Sequence, residues 1–113
     1  MHVIVTGANG FVGRELCRQL MLSGSLHGHR IERLSALDLG FETPPAAGGV
    51  MQRHAGDLAH AAWLDGVLGD APVDVVFHLA SIPGGIAEAD YGLARRVNLD
   101  ATMGLLERGQ AQV

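Results

Sequence analysis

Three glycines spaced three residues apart, Gly7, Gly10 and Gly13 in the stretch VTGANGFVG, constrain this chain more than any other feature. They follow an apolar, β-branched run over residues 2–5, which suits a strand buried on both faces of a parallel sheet. From Phe11 the apolar period changes. Val12, Leu16, Cys17, Leu20 and Met21 recur at helical spacing, with Arg14, Glu15, Arg18 and Gln19 on the opposite face. A strand that turns into a helix through three glycines leaves bare backbone where side chains would otherwise stand. Gly7 permits the tight turn, Gly10 the close approach of a ligand, and Gly13 the packing of helix on strand, while the helix N-terminus offers N–H donors and partial positive charge. A turn of this kind has room for the pyrophosphate of a dinucleotide.

The rest of the chain continues the alternation. The first helix is expected to end near Ser23-Gly24, residues 25–30 read as a turn, and residues 31–39 as a second strand closing with Asp38. The stretch FETPPAAGGV is a Pro/Gly-rich loop, and residues 50–54 form a short third strand. Residues 60–68, with Ala61, Ala62, Trp63, Leu64, Val67 and Leu68, are consistent with a helix packed on a sheet. PVDVVFHLA is the strongest strand signal, and a long helix is expected from about Glu88 to Gln110. Strands and helices in this order argue for parallel strands joined by right-handed crossovers. The expected fold class is therefore α/β, a Rossmann-type doubly wound parallel sheet in partial form, with strand order 3-2-1-4.

Composition excludes several other classes. A chain of 113 residues is the size of one domain, and its 48% hydrophobic and 18% charged residues give a globular balance. With a net charge of -4 and Arg95-Arg96 as its one adjacent basic pair, the chain is not expected to bind nucleic acid. No apolar run approaches the roughly 18 residues of a membrane span, and no basic leader precedes an apolar segment, so a cytoplasmic protein with no membrane partner is expected. The single cysteine, Cys17, lies on the apolar face of the first helix and is read as a core residue. His54, Asp57 and His60 are three apart, but Gly56 lies among them in a stretch that reads as strand end, loop and helix start, so no metal site is assigned. His27 and His29 flank Gly28 in a solvated turn. Trp63 is read simply as a helix residue packed on the sheet.

Asp38 lies 25 residues after Gly13, against a usual spacing of about 20, the excess falling in the extra turn around HGH. At the end of the second strand its carboxylate would accept hydrogen bonds from the adenosine ribose hydroxyls. It would also repel the 2′-phosphate of NADP by roughly 4 kcal/mol per charge pair at an effective dielectric near 20, so the cofactor expected is NAD.

These residues resemble the extended short-chain dehydrogenase/reductases, the group that includes nucleotide-sugar epimerases and dehydratases. TGANGFVG is similar to that family's TGxxGxxG signature, so the resemblance adds Asn9, Phe11 and Val12 to the glycines as cofactor-binding positions. It implies further that Asp57 and Leu58, in GDL, border the adenine. His78-Leu79-Ala80-Ser81 resembles the family's HLA step, with Leu79, Ala80 and Ser81 lining the cofactor. VNLDAT and the following LLE look like NVxGTxxLLEA, with Asn98 on the cofactor side. Within the family, GHRIERLSALD and AEADYGLARRVNLD are most similar to the NAD-dependent enzymes that oxidise the four-carbon sugar acid D-erythronate at C2 to the 2-keto acid.

The chain departs from this family at its chemistry. The family's proton transfer uses a Tyr-x-x-x-Lys pair, and there is no lysine here. The sole tyrosine, Tyr91, is followed four residues later by Arg95, whose planar fork places its charge differently. No catalytic residue is assigned. PVDVVFHLA would also be an apolar edge strand that invites pairing with further chain or a partner. The expectation is an NAD-binding domain over residues 1–113, the N-terminal part of a longer enzyme that acts on a sugar acid or a nucleotide sugar, with a homo-oligomer among the partners it could take. A stand-alone NAD-binding module and an inactive fragment stand as the other readings.

Overall fold

The computed structural model describes residues 1–42, 49–69 and 71–80. The expected long helix over residues 88–110 lies outside them, as do Ser81, Tyr91, Arg95 and Asn98. Strand β1 (His2–Thr6) is buried along its whole length, with Val3, Ile4 and Val5 between 0% and 1% exposed. Full burial of each such side chain contributes about 1.5–3 kcal/mol relative to exposure. Helix α1 (Phe11–Ser23) starts at Gly10 and stops at Gly24, whose φ of 69° allows the left-handed cap that returns its N–H to the Leu20 carbonyl.

Residues 25–30 were expected as a turn. They contain a two-residue antiparallel ladder, β2 (Ser25–Leu26) with β3 (His29–Arg30), around the tip at His27-Gly28. Strands of two residues show no periodicity from which they could be read. Strand β4 (Arg33–Asp38) begins two residues later than expected, because Ile31 is drawn to the Gly24 carbonyl and the N–H groups of Glu32 and Arg33 both turn to the Met1 carbonyl. Strand β5 (Met51–Ala55) and helix α2 (Ala61–Leu68) follow their expected positions within one residue. Strand β6 (Val75–His78) is shorter than PVDVVFHLA, since Pro72 has no N–H to give to a ladder.

All four strands of the main sheet run parallel, in the order β5-β4-β1-β6, which is the expected 3-2-1-4. The side chains of β1 and β4 alternate between two cores. Val3, Val5, Leu34 and Ala36 meet Cys17 and Leu20 of α1 on one face, and Ile4 and Leu37 meet Leu64 and Leu68 of α2 on the other. Cys17 is a core residue as expected, 5% exposed, and burial pushes its thiol pKa up. Among the described residues no helix is long and apolar enough to cross a membrane.

Candidate functional site at the C-terminal ends of the strands

Parallel strands expose their last carbonyls and the turns that follow them at one edge of the sheet, and in open sheets of this kind ligands are held there, where the crossovers change direction. Gly7 follows β1 directly. Its φ of 68° would strain any other L residue, and a Cβ on it would come within 2.8 Å of the Ala80 nitrogen and 2.9 Å of the Leu79 carbonyl carbon. Gly13 is buried in the first turn of α1, where a Cβ would fall on the Gly7 carbonyl oxygen and 2.8 Å from the Ala8 Cα. Turn, helix and the end of β6 thus close around bare backbone. The N–H of Gly10 folds back to the Gly7 carbonyl at 3.1 Å, and the first bond within the helix runs from Arg14 to Gly10 at 2.9 Å. The N–H groups of Phe11, Val12 and Gly13 therefore open the helix with no acceptor inside it, and no side chain caps them. The side chains of Phe11 and Val12 are exposed.

A hydroxyl ties the first turn to β6. Thr6 Oγ1 accepts the Ala80 N–H at 3.2 Å and lies 2.7 Å from His78 Nδ1. Burial lowers the His78 pKa and keeps this imidazole neutral at pH 7. Asp38 stands at the end of β4, half-buried, with both carboxylate oxygens oriented by backbone. Oδ2 accepts the Asn9 N–H at 2.9 Å and Oδ1 accepts the Leu39 N–H at 2.7 Å. Each carboxylate oxygen keeps a further lone pair, so two hydroxyls presented together still find acceptors. Asn9 does more than sit in the turn: its side-chain oxygen accepts the Glu42 N–H at 3.4 Å, and Glu42 is 3.9 Å from Arg14.

A cleft of about 240 Å³ lies between these groups. Seven of the residues expected to hold a cofactor line it: Gly7, Gly10, Asp38, Asp57, Leu58, Leu79 and Ala80. Asn9 joins them through Asp38, and Phe11, Val12 and Gly13 supply the helix opening beside it. Ser81 and Asn98 lie outside the described residues. Asp57 is exposed and turned into its own loop, its Oδ1 accepting the Ala59 N–H at 3.0 Å. The sequence reading missed Leu37, Leu39, Gly56 and Trp63, which also line the cleft. Leu39 is adjacent to Asp38 and could have been named with it, but the contact of Trp63 depends on how α2 packs and leaves no local signal. Among the described residues no three His, Cys, Asp or Glu side chains converge in a way that could hold a metal ion.

Residues 3–112 match the NAD dependent epimerase/dehydratase family. The chain belongs to that family. A D-erythronate dehydrogenase of Cupriavidus necator is 41% identical over 112 residues, covering 95% of this chain and 34% of the relative. The nucleoside-diphosphate-sugar epimerase of Agrobacterium tumefaciens superposes with a TM-score of 0.79 at 38% identity, covering 96% of this chain and 32% of that one. MoeE5, crystallised with UDP-glucose and NAD, superposes with a TM-score of 0.66 at 29% identity, covering 96% and 32%. This family member thus spans about a third of the length of the relatives it matches. Its four parallel strands form the Rossmann-type fold that those proteins share with it.

Proposed function

We propose that this chain binds NAD in the cleft between β1, β4, β5 and β6, as the cofactor-holding portion of a dehydrogenase that oxidises D-erythronate at C2 to the 2-keto acid. The observation that carries the cofactor is the backbone cradle at Gly7. A Cβ there would meet the Leu79-Ala80 peptide, and the carboxylate of Asp38 is held by two backbone N–H groups at the far side of the same cleft. The likeness to the Cupriavidus necator enzyme supports the substrate.

In this reading the N–H groups of Phe11, Val12 and Gly13 face the pyrophosphate, and the partial positive charge of α1 complements it. Asp38 accepts the adenosine ribose hydroxyls, and the Asp57-Leu58 edge borders the adenine. Bound NAD supplies a hydride acceptor. What this chain's own residues do is bind, orient and exclude water. Proton transfer is not assigned to them, because the Tyr-x-x-x-Lys pair of the family is absent from these 113 residues.

Titration calorimetry of the chain with NAD and NADP tests the cofactor: NAD should bind and NADP should bind at least tenfold more weakly, the effect of a carboxylate beside a 2′-phosphate. Equal affinities would remove Asp38 from its role. A second reading, a nucleotide-sugar epimerase, is favoured by the likeness to the Agrobacterium tumefaciens structure. Net NADH formed from D-erythronate by the active protein supports the dehydrogenase; isomerised nucleotide sugar without net NADH supports the epimerase.

A further inference from the structure

Trp63 is the one tryptophan of the chain, in the first turn of α2, half-buried against the core cluster of Ile4, Leu37, Leu64 and Leu68. Its indole also lies against backbone that has no side chain. A Cβ added at Gly56 would fall onto Cε2, Nε1 and Cδ2 of the ring. Gly56 is the residue that leaves β5, and its N–H donates to the Asp38 carbonyl at 2.9 Å. Asp57 and Leu58 come next, and both line the cleft, as does Trp63 itself.

The turn after Gly56 is internally rigid, since the Ala59 N–H is held by Asp57 Oδ1 at 3.0 Å and the His60 N–H by the Asp57 carbonyl at 2.9 Å. That rigid turn is fixed against the sheet by Leu58, which packs on the same core cluster, and by its root at Gly56, held by Asp38 on one side and by the indole on the other. We propose that Trp63 is a positioning residue for the base end of the cofactor cleft: its ring, bedded on Gly56, holds Asp57 and Leu58 at the distance from which they select an adenine. The inference rests on the NAD reading above and adds to it a residue that no signature motif contains. Glycine at position 56 is required for it, because any side chain there would displace the ring.

The test compares NAD with its hypoxanthine analogue, in which a carbonyl replaces the exocyclic amine of the base, so that the carboxylate of Asp57 meets an acceptor instead of a donor. Calorimetry on the unaltered chain should show NAD preferred. In Trp63→Ala the NAD affinity should fall about tenfold, as for one slackened hydrogen bond to a charged group, and the preference over the analogue should shrink towards one. Trp63→Phe, which keeps a flat ring on Gly56, should retain the preference. Gly56→Ala should lose it as Trp63→Ala does, which keeps the test open if the alanine variant at position 63 does not fold. Tryptophan emission of the unaltered chain should change as NAD fills the cleft.

An unchanged preference in Trp63→Ala or Gly56→Ala, with NAD still bound, would overturn the positioning role and leave the cofactor reading standing. No binding of NAD by the unaltered chain would overturn the cofactor reading and the positioning role together.

Discussion

The two ends of the parallel sheet both carry polar side chains on the same strands, and they use them in opposite ways. At the N-terminal end, His2 of β1 is 6% exposed and fully engaged inside the protein. Its Nδ1 donates to the Pro72 carbonyl at 3.0 Å, which leaves Nε2 to accept the Ser35 hydroxyl at 2.7 Å, and its backbone N–H donates to Asp74 Oδ2 at 2.7 Å. Every partner is on a neighbouring strand or the turn that enters one. At the C-terminal end, Asp38 and the first N–H groups of α1 are oriented by backbone but keep hydrogen-bonding capacity turned towards a cleft. A closed network fixes strand register; an open one receives a ligand. His2, Ser35 and a neighbouring Asp therefore form no hydrolytic triad, since the hydroxyl is 0% exposed and the groups are consumed in joining β1, β4 and the approach to β6.

The sharpest way to break this contrast is at Gly13, where the open end depends on close packing. Gly13→Ala drives a methyl into the Gly7 carbonyl, with the Ala8 Cα also at 2.8 Å, so the turn or the helix must move. Stability should fall by about 3 kcal/mol and NAD binding should be lost. Denaturant unfolding together with calorimetry checks both, and a variant that binds NAD normally would show that the turn is not the ligand's cradle. His2→Ala should be nearly as damaging to stability, about 2–3 kcal/mol, because Ser35 and the Pro72 carbonyl are left in the interior with one partner fewer. Its NAD affinity should stay within about twofold, as for a site whose polar groups are not shared with the His2 network. A large loss of affinity would mean that the two ends are coupled.

Asp38→Ala should show the reverse pattern. The ribose loses a charged acceptor, which weakens NAD by about ten- to a hundredfold, while NADP gains relatively because a repulsive neighbour is gone. Stability should fall by only about 1 kcal/mol, for the two backbone N–H groups that the carboxylate caps at a half-buried position. Equal weakening of NAD and NADP would assign Asp38 to scaffolding alone.

How much of this was legible depends on whether the determining contact is local. β1, α1 and Asp38 were readable because apolar period, glycine spacing and distance along the chain are all properties of short stretches. The strand order followed from the alternation of elements and the handedness of crossovers. The hairpin at residues 25–30 was not, since two residues per strand cannot show a period. Nor was the seat of Trp63 on Gly56, which joins the exit of β5 to the face of α2, or the role of His2, which in sequence is only the first residue of an apolar run. Polar groups at a strand start reveal whether they are closed or open only when the neighbouring strands are in register.

The smallest expected effect separates the two ends by pH. Burial lowers the His2 pKa below its ordinary 6.5, with Arg33 and the N-terminus adding to that and the Pro72 carbonyl and Asp74 opposing it. Burial also lowers His54, helped by Arg33, and His78. A lowered histidine pKa means that the unfolded chain takes up protons before the folded one does. The stabilisation is therefore complete above about pH 6.5 and is lost as pH falls through the folded values. Protonation of His2 puts a proton on Nε2, where the ring now accepts the Ser35 hydroxyl, so the closed network must rearrange. Chemical denaturation at a series of pH values should show this slope, and His2→Asn should flatten part of it. A slope unchanged in His2→Asn would assign the acid sensitivity to His54 and His78.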